Sequence, residues 1–159
     1  RSSGSRPCTL LAMNETLRIS TDPAELDREA IHDMMARQSS WARGIPRETQ
    51  DRAIDNSLCF GGYLGGRQVA FARVLTDYAT FANLVDVFVL PEHRGKGYSK
   101  ALMAAVMAHP GLQGLRRFTL HTTDAHGLYA KFGFTAPAKP DNAMERWFPG
   151  LYERGAGEP

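Results

Sequence analysis

Apolar positions along the chain fall into two periods. Leu26, Ala30, Ile31, Met34 and Met35 recur at helical spacing after Asp22-Pro23, a cap residue followed by proline at the first helical position. The spacing predicts a helix from there to about Gln38. Trp41 to Ile45 reads as a loop, and 46–57, carrying Ala53 and Ile54, as a second short helix. Leu58 to Leu64 and Gln68 to Leu75 predict two strands joined at Gly65-Gly66, a dipeptide that tolerates positive φ in a hairpin. Leu84-Val85-Asp86-Val87-Phe88-Val89-Leu90 is a nearly continuous β-branched and aromatic run. It predicts a buried central strand, which Pro91 stops. Beyond Gly95 and Gly97 the residues Tyr98, Leu102, Ala105, Val106 and His109 return to helical spacing, ending at Pro110-Gly111. Phe118 to His121 predicts a further strand. Asp124 to Lys131 predicts a helix capped by Asp124 and closed by Gly133. Strands are expected over 134–136 and 143–148 as well. This order is that of a mixed α/β domain on one central sheet.

Composition narrows the class. The chain has 159 residues, 43% of them apolar and 23% charged, which is ordinary for one globular domain. A chain of this length buries roughly 70% of the surface its unfolded form exposes, so no disulfide or metal staple is required. No run approaches the ~18 apolar residues of a membrane span. Cys8 and Cys59 are 51 positions apart and in no metal-ligand spacing, so a reducing, cytoplasmic setting and the absence of a metal are expected. Residues 1–12 read as a flexible arm or a tag remnant and 13–159 as the single domain, with Met13 a plausible native start.

Charge changes the picture. The formal net charge is +2, yet 93–123 contain no acidic residue and carry +5 through Arg94, Lys96, Lys100, Arg116 and Arg117, leaving −3 on the remainder. The balance disfavours a nucleic-acid partner. It points instead to a compact anionic ligand near 93–123.

The stretch Leu90-Pro91-Glu92-His93-Arg94-Gly95-Lys96-Gly97-Tyr98-Ser99 takes a buried strand into a glycine-rich basic turn and then a helix start. Free amides and the positive end of the helix dipole make such a turn a phosphate site. Gly95 and Gly97 let the backbone approach a ligand. A Walker A loop fails, because neither Lys96 nor Lys100 is followed by Ser or Thr. A G-x-G-x-x-G fingerprint fails because position 100 is lysine.

Arg94-Gly95-Lys96-Gly97-Tyr98-Ser99 resembles the R/Q-x-x-G-x-G/A loop of the GNAT superfamily of N-acetyltransferases. Val87 to Glu92 is similar to the strand that precedes that loop. Leu128-Tyr129-Ala130-Lys131-Phe132-Gly133-Phe134 resembles the family's late helix-to-strand segment, with Ala125 at the usual small position. Ser99 and Thr122 depart from the pattern, where Gly or Ala and Asn are usual. The resemblance implies a single mixed, mostly antiparallel central sheet flanked by helices. It implies acetyl-coenzyme A as cosubstrate, its pyrophosphate on the amides of 95–99, with Arg94, Lys96 and Tyr98 at the same loop. It also implies that Val87, Phe88 and Val89 lie on a strand splayed from its neighbour, offering backbone groups to the pantetheine arm. Family members are often dimers, so a homodimer is an expectation.

Direct acetyl transfer requires that an amine lose a proton, that the oxyanion be stabilised and that the thiolate be protonated. Tyr129 matches the tyrosine that protonates the thiolate in similar proteins. Two residues compete as base: Asp86, the one carboxylate within an apolar strand, and His121, at the end of the next strand; a water relay is the third route. Trp41, Arg43, Tyr78 and Phe81 are expected to wall the acceptor site. The expected function is N-acetylation of a primary amine of a small molecule in a ternary complex. A non-catalytic acyl-coenzyme A sensor and a protein or peptide N-acetyltransferase are the alternatives.

Overall fold

The computed structural model describes residues 16–153; the predicted arm over 1–12, with Cys8, lies outside them. Five strands form one sheet in sequential order: β1 (Arg18–Ser20), β2 (Leu58–Leu64), β3 (Arg67–Thr76), β4 (Phe81–Val89) and β5 (Arg117–Leu120). The first four pair antiparallel and β5 joins β4 in parallel. This is the mixed, mostly antiparallel sheet the sequence implied. A parallel neighbour needs a crossover connection, and the helix α3 (Tyr98–Ala108) supplies it.

The sheet is covered on both faces. Helices α1 (Arg28–Asp33) and α2 (Arg47–Asp55) cover one side, where Ile31, Met34, Met35 and Ile54 meet Cys59, Val69, Phe71 and Phe88. Helix α3 covers the other, where Leu102, Met103 and Val106 meet Phe60, Ala70, Val74 and Leu84. Each large apolar side chain taken fully from water contributes roughly 1.5–3 kcal/mol. Phe71, Met34, Met35, Leu102 and Met103 are completely buried, so the two half-cores pin the sheet from both sides. The last helix, α4 (His126–Ala130), adds Tyr129 to the α3 side.

Several elements differ from expectation. The predicted first helix is divided. Pro23–Glu25 forms a 3-10 turn, and α1 starts afresh where the Asp27 carboxylate accepts from the Ala30 amide at 3.0 Å. It runs on into a π turn, Met34–Gln38. Strand β1 lacks the apolar run that would have marked it. Helix α4 is capped at Ala125, without a side-chain bond, and not at the expected Asp124; the Thr122 hydroxyl accepts from the Ala125 amide at 3.0 Å in the turn before it. The strands expected over 134–136 and 143–148 do not form. Pro137 follows the first immediately and lacks the amide a ladder needs. Every side chain from 135 to 151 is exposed, so no buried face is available to fix a register there.

One irregularity inside the sheet is decisive. Phe71 pairs with Phe88 and Arg73 with Val85. Two steps on β3 therefore face three on β4, and β4 carries one extra residue. Asp86 occupies the bulge with φ of 54°, a conformation that costs a non-glycine residue about 1 kcal/mol. Beyond it the facing pattern inverts: Leu84 lies on the α3 side, but so do Val87 and Val89, while Phe88 turns to the α1 side.

The β3–β4 turn has its own anchor. Asp77 accepts from the amides of Ala79, Thr80 and Phe81 at 2.9, 2.7 and 3.1 Å and from the Thr80 hydroxyl. The Thr80 hydroxyl and then these amides hold its carboxyl well below the usual carboxylate range. A lowered folded value makes the contribution present above the unfolded carboxylate range, about 4, and lost as pH falls through the folded one. Asp77→Ala should therefore lower Tm near neutral pH, with the gap from wild type narrowing progressively on acidification. Thermal unfolding followed across pH checks this; a constant gap contradicts it.

Candidate active site

The pairing of β4 with β5 runs from Phe81↔Arg117 to Leu84↔Leu120 and ends there, whereas β4 continues to Val89. The ladder thus ends two residues before the bulge, where β5 itself stops at Leu120. The Leu90 amide bonds to the Val69 carbonyl on β3 at 2.9 Å. By strand alternation the polar backbone groups of Val87 and Val89 point the other way, into the split. Arg94 Nε donates to the Val89 carbonyl at 2.9 Å. The Val87 amide and carbonyl and the Val89 amide are left facing the split.

At the end of β4 the chain makes a 3-10 turn, Pro91–His93, and then the loop that opens α3. Gly95 and Gly97 have φ of 77° and 82°. A Cβ built on either meets nothing within 4 Å, so the glycines answer to their backbone angles and to open space in front of them. That space is a cavity of about 530 Å³ lined by Thr16, Leu17, Gly95, Lys96, Gly97, Tyr98 and Ala101. Helix α3 has no side-chain cap at Gly97, and its first turn borders the cavity through Tyr98 and Ala101. The Lys96 ammonium and the dipole favour an anion there. Ser99 is half-buried in the first turn. Arg94 closes the β4 end of the loop, its guanidinium 5.1 Å from the Phe88 ring. The residues present fit a pyrophosphate.

The basic run of 93–123 is not one patch. Arg116 and Arg117 stand at the start of β5, opposite Phe81. That is the other end of β4 from the loop, roughly 25 Å away at ~3.3 Å per residue. Arg94, Lys96 and Lys100 alone flank the cavity end.

The remaining predicted residues divide the same way. Asp86, with a side chain 11% exposed, is held at both oxygens: Trp41 Nε1 donates to Oδ1 at 2.9 Å and Arg73 Nε to Oδ2 at 2.9 Å. The Trp41 indole is half exposed and rests edge-on against Phe88, centroids 6.4 Å apart. Arg43 is exposed on the same loop. Gly44 beside it faces the Tyr152 carbonyl, which a Cβ would meet at 2.8 Å, so the C-terminal segment docks on this loop. His121 follows β5 directly, is exposed, and stands next to Leu120, the last residue of β5 paired to β4. Tyr129 is buried beside Phe134, at 6.2 Å between rings, in the cluster that includes Val87 and Val89. Burial first, and the Asp124 charge second, push its phenol up, so it stays protonated through neutral pH. The structure does not bring Tyr78 and Phe81 to the split. They lie at the β3–β4 turn, where Tyr78 packs against Gly111. Arg73 and Ser57 belong to the site and were not singled out from sequence. A lone cation opposite a lone carboxylate in adjacent apolar strands was the available signal.

The site thus combines a strand that outruns its parallel neighbour with a glycine-turned helix N-terminus beside a cavity. The comparisons give the particular family. Residues 28–134 match the model of the acetyltransferase (GNAT) family, and the chain belongs to it. A crystal structure of a GNAT-family protein from Xanthomonas campestris is 64% identical, covering 86% of this chain and 96% of that one with a TM-score of 0.84. A Gibberella zeae protein is 34% identical over 71% of this chain and 75% of its own length. Both carry the name "putative acetyltransferase", with no acceptor specified. Glucosamine-6-phosphate N-acetyltransferase from Arabidopsis thaliana, 18% identical, covers 84% of this chain and 99% of that one with a TM-score of 0.59, a likeness of fold alone. Among the described residues no helix is long and apolar enough to cross a membrane.

Gly97→Ala forces a side chain into the left-handed region and puts a methyl at the cavity. Its affinity for coenzyme A should fall on the order of tenfold or more, given ~1 kcal/mol of strain plus the steric loss. Calorimetric titration checks this; an unchanged affinity removes the loop from the binding site.

Proposed function

We propose that the protein is an acetyl-coenzyme A-dependent N-acetyltransferase that acetylates a primary amine of a small molecule by direct attack in a ternary complex. The observation that carries this reading is the split itself. Backbone groups of Val87 and Val89 that β5 does not pair lie on the strand that runs into the glycine turn at 95–97, with a buried tyrosine in the same side-chain cluster.

Each residue then has a task. The amides of 95–99 and Lys96 hold the phosphates, and Arg94 keeps that loop against the end of β4. The Val87 and Val89 groups align the pantetheine arm as an added strand would. Bound this way, the cosubstrate supplies an activated thioester carbonyl at the bulge. Tyr129 donates its proton to the departing thiolate, and its raised titration keeps that proton in place at working pH. His121 takes the proton from the amine, directly or through water. It is exposed at the point of divergence, and among the described residues it makes no hydrogen bond or ion pair. The Trp41 loop forms the acceptor side.

A thiol-release assay with acetyl-coenzyme A against amines, amino acids and peptides tests the reading. Amine-dependent release favours the small-molecule enzyme, whereas cofactor binding without release with any acceptor contradicts it. Tyr129→Phe should lower kcat on the order of a hundredfold with little change in acetyl-coenzyme A affinity; unchanged turnover removes Tyr129 from the mechanism. In the wild type, activity should fall on the alkaline side only above the ordinary tyrosine range, about 10. That limb should vanish in the phenylalanine variant.

A further inference from the structure

We propose that Arg73 is a positioning residue for acetyl transfer: its guanidinium pins the Asp86 carboxylate in the strained bulge, and through it fixes the Trp41 indole across the acceptor side of the split. The proposal rests on the acetyl-transfer reading for its catalytic consequence and on geometry for its structure. Arg73 is 15% exposed and is itself held from two directions. Its Nε binds Asp86, while its NH1 donates to the Ser57 hydroxyl at 3.1 Å. That hydroxyl in turn donates to the Ala53 carbonyl at 2.7 Å, at the end of α2. The guanidinium is therefore a fixed point.

Asp86 transmits that position to the acceptor loop. Its second oxygen accepts from Trp41 Nε1, the indole lies edge-on to Phe88, and the Arg94 guanidinium lies over that phenyl ring. One run of contacts links α2, β3, the bulge, the acceptor loop and the cofactor loop. Both Asp86 oxygens are engaged by donors, and its place in the site is to hold the loop. Cys59 on β2 pairs with Arg73 across the strands, and its thiol, pushed up to about 11 mainly by burial, stays neutral beside the ion pair. Indole packing over an arginine-held carboxylate sets how far the acceptor mouth opens, so Arg73 governs acceptor affinity.

The test uses a Trp147→Phe background, which leaves Trp41 as the sole one of the 2 tryptophans. Arg73→Gln should shift Trp41 emission to longer wavelength and increase its quenching by acrylamide, with coenzyme A affinity by calorimetry unchanged. Against an amine accepted by the wild type, the same change should raise acceptor KM on the order of tenfold with kcat and the basic-side rise in rate preserved. Arg73→Lys should recover part of the KM, because it restores the charge but not the two-sided geometry. Trp41→Phe added to Arg73→Gln should cost little more than either alone. Unchanged Trp41 emission and quenching in Arg73→Gln overturns the proposal, as does an unchanged acceptor KM. So does Asp86→Asn abolishing the basic-side rise while Trp41 emission stays put, which makes Asp86 the base. Absence of thiol release by the wild type with every amine refutes the transfer reading, while the fluorescence arm still upholds or overturns the tether.

Discussion

The extra residue in β4 is the constraint on which the site depends. β5 stops at Leu120, so the backbone groups of Val87 and Val89 that face away from β3 have no strand beside them. The bulge at Asp86 inverts the strand's facing pattern, and the ladder to β5 has already ended two residues before it. Holding aspartate at positive φ costs about 1 kcal/mol. Hydrogen bonds to a charged group contribute roughly 1.5–3 kcal/mol each, so the Arg73 and Trp41 bonds together offset that strain. The residue that bends the strand thus also ties down the acceptor loop.

The two halves of the site follow from different physics. On the cofactor side the determinants are backbone: helix amides without a side-chain cap, two glycines at φ near 80°, and strand groups left without partners. Side chains matter there chiefly through charge and through Arg94, which spends one donor on the Val89 carbonyl and so fixes the loop to the strand. On the acceptor side the determinants are side chains drawn from α2, β3 and β4 and from the loop at Trp41. Backbone determinants tolerate wide sequence change, in keeping with a fold shared at 18% identity.

Much of this was legible in the sequence, for physical reasons that differ by element. Glycines after an apolar strand and before a helical period mark a tight strand-to-helix turn, so the turn into α3 could be read from 90–99. The hairpin at Gly65-Gly66 and the burial of 84–90 followed from period and turn chemistry. Asp86 stood out as a carboxylate among apolar neighbours, but its role depends on Arg73, whose register across the bulge no local pattern encodes. Tyr78 and Phe81 looked like acceptor walls because aromatic loops often are, yet strand direction carries them to the far end of the sheet. The charge surplus of 93–123 divides for the same reason, three residues at the loop and two at the start of β5. The strands expected over 134–136 and 143–148 had suitable composition and no face to bury, which is a tertiary condition.

The central claim is that the split strand and the uncapped helix start form one binding track. Amide hydrogen exchange with and without coenzyme A tests it most directly. The account predicts added protection at Val87, Val89 and 95–101, with the β3–β4 turn at Asp77 to Thr80 unchanged. Protection confined to that turn, or none at 87–101 under saturating coenzyme A, would contradict it.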